Sequence, residues 1–297
     1  MDLSVVVLNW NAGEDLRRCL QSLTPLPSEI EMEVLVVDNA SSDSSRAMVA
    51  NEFPGARLIV NKTNLGFCAG NNAALPYVMG RWVLFLNPDT VVHLGALAAM
   101  VQYGDAHSEV GIIGPKLLNP DGSLQYSCRQ FPDLAAGFFR KTPLGRLYPK
   151  NRYAANYIMS DWDHCSTREV DWLSGAAMIT RKSLLDEIGA FDEDYYMFCE
   201  DVDLCYRAWK SGWKVVYLPE AVITHRIGRS TDQVPVRSTY LFHRSMYLFY
   251  RKHYRSKIPI AVRPIILPGI VLRAVGQIVR YRVVRWFRRA HRWMMKR

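Results

Sequence analysis

The chain has 297 residues, of which 49% are hydrophobic and 22% are charged. This composition excludes a disordered or low-complexity protein, and the length allows one large domain with an appendage or two smaller domains. The net charge of +9 is unevenly distributed, because residues 237–297 hold 16 basic and no acidic residues, whereas residues 1–236 sum to −7.

Short apolar runs alternate with helical patterns through residues 1–105. They predict strands at 3–8, 33–37, 56–60 and 82–86, and helices at 14–23, 44–52, 69–78 and 94–104. Short strands separated by helices are typical of βαβ units, so we expect an α/β fold with a parallel sheet. In such a sheet, ligands bind at the carboxyl ends of the strands.

The pattern is looser from residue 106 to residue 235. Apolar runs predict strands at 110–114, 116–119, 170–179 and 214–218, and helices are predicted at 182–188 and 200–211. The stretch 131–167 has no sustained period and predicts a long loop, and the Pro-Asp-Gly sequence at 120–122 predicts a turn. The charge asymmetry then predicts one domain over 1–235, with halves 1–105 and 106–235, and a basic tail over 236–297.

Polar residues follow three of the predicted strands. Asn9 and Asn11 follow the first, Asp38 the second, and Asn87 and Asp89 the fourth. An acid at this edge can accept hydrogen bonds from a nucleobase or a ribose, and Asp89 suits a hard divalent cation that bridges two phosphate oxygens. The alternative is that each residue turns the chain and caps the next helix.

A glycine-containing segment precedes the third predicted helix. Gly66 and Gly70 allow the backbone to approach a ligand closely, and Asn71 and Asn72 follow them. The segment is neither a G-x-G-x-x-G motif nor a Walker loop, which counts against a dinucleotide-binding or ATP-hydrolysing site.

Three acids crowd the first turn of the helix predicted at 200–211. Glu200, Asp201 and Asp203 all lie within four residues. Favourable charge at a helix N-terminus explains one or two of them, and a carboxylate here could also act as a general base towards a hydroxyl.

A histidine and two arginines follow the strand predicted at 214–218. His225 could ligate a metal, and Arg226 or Arg229 could neutralise a diphosphate. The alternative for a lone histidine is a surface residue or one whose bonds are satisfied in the core.

Taken together and in order, these motifs resemble a known family. The chain is similar to the inverting family-2 glycosyltransferases with the GT-A fold, the nucleotide-diphospho-sugar transferase fold, and above all to bacterial rhamnosyltransferase-type members that build cell-surface polysaccharide. The resemblance covers residues 3–231 and rests on five segments: Val5–Asn11, Val37–Asp43, Asn64–Asn72, Leu86–Asp89 and Phe198–Leu204.

The resemblance implies an activity and a set of partners. A sugar would pass from a dTDP- or UDP-linked donor to a hydroxyl of a glycan or lipid-linked acceptor. The resemblance favours rhamnose as this sugar. The fold implied is α/β of the GT-A type, with a mixed, mainly parallel sheet and a basic helical extension. The half 1–105 would bind the nucleotide sugar and the half 106–235 the acceptor. One base suffices for such a transfer, whereas glycoside hydrolases need two carboxylates.

The resemblance also implies residue roles. Asp201 would be the catalytic base, and Asp89 with His225 would hold a divalent cation, Mg²⁺ or Mn²⁺. The remaining roles fall into three groups: donor nucleotide binding by Asn9, Asn11, Asp38, Asn71, Asn72 and Asn87; acceptor binding by Trp172, Leu173, Ser174, Gly175 and Glu200; and diphosphate binding by Arg226 and Arg229.

The basic tail predicts a surface-binding segment. The apolar stretch 258–272 contains three prolines and Arg263, so we expect it to be too broken to cross a bilayer. The Arg-rich stretch 281–297 carries Trp and Phe and suits an anionic membrane surface. One alternative is that this stretch binds nucleic acid, which we do not expect. The other is that it forms a helix packed on the domain. With no targeting segment at the N-terminus, the prediction is a cytoplasmic protein, peripheral on the inner membrane face. A homo-oligomer is compatible with these features.

Two other classes of protein stay open at this point. A sugar nucleotidyltransferase of similar fold would need a glycine- and lysine-rich phosphate loop near the N-terminus, which the chain lacks. A non-enzymatic protein that binds membranes or polyanions through its tail would tolerate the loss of Asp89 and Asp201.

Overall fold

The computed structural model describes residues 1–24, 29–132, 157–226 and 235–294. The chain forms two compact units. The first consists of Met1–Asp194 and Glu200–Ser230, and the second of Tyr195–Cys199 and Thr231–Arg297.

The first unit contains twelve strands and six α-helices among its described residues. The strands are β1 Leu3–Asn9, β2 Met32–Asp38, β3 Arg57–Val60, β4 Trp82–Leu86, β5 Thr90–Val92, β6 Val110–Leu118, β7 Leu124–Gln125, β8 Cys128–Arg129, β9 Arg168–Glu169, β10 Trp172–Leu173, β11 Ala177–Arg181 and β12 Lys214–His225. The helices are α1 Gly13–Ser22, α2 Ser45–Glu52, α3 Gly66–Asn72, α4 Ala96–Ala106, α5 Lys182–Ile188 and α6 Glu200–Lys210.

The main sheet has the order β3-β2-β1-β4-β11-β6-β12-β5. Strands β1 to β4 pair in parallel, as do β6 and β12, whereas β11 and β5 run antiparallel to their neighbours. Consecutive residues of β1, such as Val5, Val6 and Val7, are fully buried, because helices cover both faces of the sheet. The predicted α/β fold with a mixed, mainly parallel sheet is confirmed.

Two elements near the carboxyl edge differ from the prediction. The helix predicted at 69–78 begins at Gly66, whose φ of 86° starts the turn, and ends at Asn72, before a short 3₁₀ turn at Leu75–Tyr77 that contains a proline. Strand β5 lies where only a turn and a helix cap were predicted. It has three residues and is held by pairing with the end of β12, a contact between distant parts of the chain that no local pattern indicates.

Strand β12 is longer than predicted. It continues past Leu218 to His225, and its pairing with β6 shifts register between Leu218 and Val222. Pro219 lies inside this irregular stretch, where its missing N–H removes no ladder bond. The strand therefore carries His225 to the carboxyl edge of the sheet.

The second unit is helical. Its described α-helices are α7 Pro235–Phe249 and α8 Arg263–Met294, with short helical turns between them. Segment 195–199 packs within this unit, where Ser245 Oγ donates a hydrogen bond of 2.9 Å to the Met197 carbonyl and the Phe198 ring meets Phe242 edge-on. Phe198 and Cys199 adopt left-handed backbone angles, with φ of 72° and 64°.

The apolar stretch of the tail is continuous rather than broken. Helix α8 runs through Pro268, and Ile260–Val284 has the length and hydropathy of a membrane-crossing helix, with none of its apolar window buried. Proline at the first turns of a helix costs little, and neighbouring turns accommodate one further in. The predicted helical extension is therefore present, and the prediction that its apolar part does not cross a bilayer stays a prediction.

Candidate functional site

Asp89 and His225 lie side by side at the carboxyl edge of the sheet. The register pairs Thr90 of β5 with His225 of β12, so the residue before β5 faces the histidine ring. Asp89 Oδ1 lies 3.4 Å from His225 Nε2, and both side chains are about nine-tenths buried. The backbone N–H of Arg226 also donates to the Asp89 carbonyl, at 3.0 Å.

The chemistry of this pair fits a divalent cation. Asp89 Oδ1 is buried and has no hydrogen-bond partner among the described residues. A carboxylate oxygen and an imidazole nitrogen are both common metal ligands. Within the described ranges no group of three or more His, Cys, Asp or Glu side chains could hold a metal ion, so further ligands would have to come from neutral protein groups, substrate oxygens or water. Asn87, half-buried next to this pair, would add an amide oxygen rather than a charge.

Asp201 is the second residue of helix α6 and lies next to the segment predicted to face the acceptor. Its Oδ2 accepts a hydrogen bond of 3.1 Å from the backbone N–H of Gly175, and its Oδ1 accepts one of 2.8 Å from that of Val202. Burial raises the pKa of the Asp201 carboxyl, and these hydrogen bonds oppose the rise. The carboxylate is thus held in one orientation and is a stronger proton acceptor than an exposed aspartate.

Glu200 has a different electrostatic environment from its neighbour. Burial and the negative charge of Asp201 raise the pKa of Glu200 well above its ordinary value. Its Oε2 is buried with no hydrogen-bond partner in the described part of the chain. Burial thus raises the pKa of both acids, and the rise is larger for Glu200, which therefore gives up its proton less readily than Asp201 does.

Arg129 was not singled out from the sequence. In β8 it pairs with Trp172 of β10, and its guanidinium lies over the rings of Trp172 and Tyr157, at 5.5 and 5.9 Å. Its charge lowers the pKa of Asp201. An isolated arginine in an irregular stretch has no distinguishing local pattern, so only the fold reveals it.

Asn9 and Asp38 are adjacent through the pairing of β1 with β2. Asn9 Nδ2 donates to Asp38 Oδ2 at 3.0 Å, while Asp38 Oδ1 accepts from the backbone N–H of Ser41 at 3.0 Å and lies 3.4 Å from Arg46. The Asp38 side chain is 1% exposed, and both of its carboxylate oxygens already accept hydrogen bonds from within the chain. These bonds match the turn-forming alternative, and contact with a nucleobase stays a prediction.

Asn11 adopts a left-handed backbone conformation with φ of 52°, and its Oδ1 accepts from the backbone N–H of Ser42 at 2.8 Å.

Asn39, which the sequence analysis did not predict as a site residue, organises the glycine segment. Asn39 Nδ2 donates to the Gly66 carbonyl and its Oδ1 accepts from the Leu65 N–H, at 2.9 and 3.0 Å. These bonds hold the start of α3 against the end of β2.

Asn71 and Asn72 both make bonds within the chain. Asn71 is 1% exposed and donates to the Phe67 carbonyl at 2.9 Å. Asn72 bridges to the stretch after α5, donating to the Phe191 carbonyl at 2.8 Å and accepting from the Phe191 N–H at 3.2 Å. Their predicted contact with the nucleotide is not tested by this geometry.

The segment 172–175 leads directly to Asp201. The Trp172 indole N–H donates to the Gln130 carbonyl at 2.8 Å, and Leu173 is 1% exposed, so these two side chains are largely committed to packing. Ser174 is half-buried, and its backbone N–H donates to Ser127. Gly175 is buried with its N–H on Asp201, which leaves Ser174 as the more exposed member, and contact of this segment with an acceptor stays a prediction.

Of the two predicted diphosphate residues, Arg226 is exposed and has a guanidinium nitrogen 4.0 Å from Asp15 Oδ1. It follows His225 directly, so a phosphate bound at the Asp89 and His225 pair would be within its reach. Arg229 lies outside the described residues.

The family model described as glycosyltransferase-like family 2 matches residues 2–240. The chain belongs to glycosyltransferase family 2. The family predicted from the five sequence motifs is thereby confirmed, and the protein is a glycosyltransferase.

Named relatives agree with this membership of family 2. The chain is 34% identical over 259 residues to the N-acetylglucosaminyl-diphospho-decaprenol L-rhamnosyltransferase of Mycobacterium tuberculosis, covering 83% of each chain. It is 26% identical over 223 residues to the rhamnosyltransferase WbbL of Escherichia coli, covering 72% of this chain and 80% of the relative.

Solved structures agree on the fold. The mannosyltransferase PcManGT of Pyrobaculum calidifontis, solved with GDP-Man and Mn²⁺, superposes with a TM-score of 0.57 at 17% identity, covering 95% of this chain and 75% of that one. This similarity confirms the GT-A fold for this family-2 protein.

Proposed function

We propose that this protein is an inverting, metal-dependent rhamnosyltransferase that uses a lipid-linked acceptor in cell-surface polysaccharide synthesis. The sugar and the acceptor are inferred from the M. tuberculosis relative, which covers most of both chains. The mechanism rests chiefly on one observation, the Asp201 carboxylate oriented by the Gly175 N–H. A sugar nucleotidyltransferase and a non-enzymatic protein are not proposed further, because family 2 consists of glycosyltransferases.

In the proposed reaction Asp201 takes the proton of the acceptor hydroxyl. The hydroxyl oxygen attacks the anomeric carbon from the face opposite the diphosphate, so a new C–O bond forms as the bond to the diphosphate breaks. The nucleoside diphosphate leaves, and one displacement inverts the configuration. Gly175 and Val202 hold the carboxylate in place during this step, and Arg129 stabilises its charge.

Asp89 and His225 would hold the divalent cation on the donor side. A cation bound there supplies charge neutralisation of the departing diphosphate. Arg226 would add a second positive charge near the same phosphates.

The test is the release of nucleoside diphosphate from a panel of dTDP-, UDP- and GDP-sugars. Purified protein is supplied with a GlcNAc-diphospho-polyprenol acceptor and Mg²⁺, Mn²⁺ or EDTA. We expect release from dTDP-rhamnose that needs both acceptor and metal. Release from another sugar would overturn the choice of rhamnose, and equal release in EDTA would overturn metal dependence. The thermal stabilisation produced by each donor provides a readout of binding that is independent of turnover.

We also propose that the tail binds the anionic inner face of the cell membrane. The described tail side chains expose apolar groups, among them Val275, Val279, Trp286 and Phe287, between arginines. Each basic residue near an anionic surface contributes about 1 kcal/mol of binding free energy. The absence of acids from 237–297 means that nothing in this sequence opposes that attraction.

Deleting Val271–Arg297 is expected to move the protein from the membrane fraction to the soluble fraction. A milder variant, Trp286→Ser with Phe287→Ser, changes two exposed side chains and should weaken sedimentation with phosphatidylglycerol vesicles while leaving the unfolding temperature unchanged. Unchanged fractionation of the deletion would contradict the proposal. Retention of the full chain in membranes after washing with high salt and carbonate would show instead that Ile260–Val284 spans the bilayer.

A further inference from the structure

His225 has a polar neighbour that the proposed mechanism does not use. Gln125, at the end of β7, is 8% exposed, and its Oε1 lies 2.7 Å from His225 Nδ1. Its Nε2 donates to the His225 carbonyl at 3.1 Å and to Asn119 Oδ1 at 2.9 Å. The whole amide is therefore engaged with the histidine and the turn at 119–123.

The partners of Gln125 determine which end of its amide carries the hydrogens. The His225 carbonyl can only accept, so the group facing it must be the NH₂. The oxygen must then face His225 Nδ1, and because an amide oxygen cannot donate, Nδ1 must carry the proton. Because Nδ1 is engaged with Gln125, Nε2, the nitrogen that faces Asp89 Oδ1, is the ring nitrogen left to bind a cation.

The orientation of the Asn119 side-chain amide follows from the same reasoning, which begins with the Asp121 carboxylate. The Ser123 hydroxyl donates to Asp121 Oδ1 at 2.6 Å, so Ser123 Oγ can only accept from Asn119 Nδ2, at 2.9 Å. That leaves Asn119 Oδ1 to accept from Gln125. Hydrogen bonds from Ser123 also lower the pKa of Asp121, which keeps this end of the chain of bonds an acceptor.

We propose that Gln125 is a positioning residue, oriented by Asn119, Ser123 and Asp121, that holds His225 in the Nδ1–H tautomer with the Nε2 lone pair facing Asp89. The inference rests on the proposed cation site, since its consequence is a nitrogen ready to bind metal. Partners of a ligating histidine commonly raise metal affinity by 10–100-fold. The turn at 119–123, which the sequence marks only as a turn, thereby acquires a role in donor-side chemistry.

The first measurement is the tautomer of His225 in the metal-free protein, from two-dimensional long-range ¹H–¹⁵N spectra. We expect Nδ1 to carry a proton in the unchanged chain, and we expect a mixture or the Nε2–H form in Gln125→Met. Comparison with His225→Ala assigns the signal. Asn119→Leu, in the half-buried turn, is a second variant that removes the acceptor orienting the amide and should also yield mixed tautomers. Retention of a single Nδ1–H form in both variants would overturn the proposal.

The second measurement is the affinity for Mn²⁺ in the presence of UDP or dTDP, by electron paramagnetic resonance of free Mn²⁺. We expect Gln125→Met to weaken Mn²⁺ binding by about 10–100-fold. Gln130→Met, the same substitution at an exposed position nearby, should bind Mn²⁺ as the unchanged chain does. A loss of less than twofold in a folded Gln125→Met would overturn the positioning role.

His225→Ala separates this inference from the proposed cation site. If His225→Ala binds Mn²⁺ as tightly as the unchanged chain, the cation site itself is wrong, and the tautomer spectra still decide the role of Gln125. If His225→Ala weakens Mn²⁺ binding but Gln125→Met does not, the cation site stands and the role of Gln125 is wrong.

Discussion

Asp201→Asn is expected to remove nearly all glycosyl transfer and to leave donor binding within a few-fold of the unchanged protein. The asparagine keeps the size of the side chain and an oxygen for the Gly175 N–H, but it cannot take a proton. A positioned general base contributes a factor on the order of 10²–10⁴, so transfer should fall by about that much. Product formation with saturating donor and acceptor measures the rate, and titration calorimetry with the donor measures binding.

Two variants serve as comparisons for Asp201→Asn. Asp186→Asn, on the exposed side of α5, makes the same chemical change and should leave the rate unchanged. Glu200→Gln should retain more activity than Asp201→Asn, because it removes an acid whose Oε2 has no hydrogen-bond partner among the described residues and leaves the Asp201 carboxylate in place. A loss of donor affinity as large as the loss of rate would contradict the assignment of Asp201 as the base.

The pH profile offers a check on the same residue. The base must be ionised to work, so kcat/KM falls as the pH decreases through the pKa of Asp201. Because burial raises that pKa, this fall should occur at higher pH than for an exposed aspartate, whose ordinary pKa is 3.8. In Asp201→Asn the residual kcat/KM should no longer fall as the pH decreases through this range.

Asp89→Ala is expected to remove metal dependence together with most of the activity. It deletes the carboxylate whose Oδ1 lies opposite His225 Nε2 and leaves the backbone bond from the Arg226 N–H intact. Neutralising the charge of a leaving diphosphate is worth several kcal/mol, so the rate should fall by about 10²–10³-fold. Nucleoside diphosphate release in Mn²⁺ and in EDTA measures this, because the variant should give nearly equal rates in both.

Binding of Mn²⁺ in the presence of the nucleotide identifies the cause of that loss. The affinity should fall in Asp89→Ala and stay unchanged in Asp186→Asn. If Asp89→Ala bound Mn²⁺ normally yet lost activity, the carboxylate would act on the donor directly rather than through a cation. Asp89 is the one acid of the Asn87–Asp89 motif, because Asn87 carries no negative charge. No second carboxylate in this motif can therefore replace the one that Asp89→Ala removes.

Local patterns were sufficient for most of the fold. Apolar runs such as those of β1, β2 and β4 are read directly as strands because both of their faces are buried, and the amphipathic spacing of α6 is equally clear. The same patterns located the acid at the start of α6 and the polar residues after the strands. Order and spacing of five segments were enough to indicate the family, which the comparison confirmed.

Elements held only by distant partners escaped this reasoning. Strand β5 is too short to have a period of its own and exists because it pairs with the end of β12. Strand β12 likewise continues through Pro219 to His225 because it pairs with β6 and β5. In both cases pairing between distant residues outweighs the local preference.

The sequence by itself determined the α/β class, the family and the identity of the candidate base and cation ligands, because these depend on residue type, spacing and order along the chain. The tertiary structure alone decided which groups lie together: Asp89 and Gln125 with His225, and the Gly175 N–H and the charge of Arg129 with Asp201. Those contacts join residues far apart in sequence, and a hydrogen bond depends on distances and directions that only the folded backbone sets.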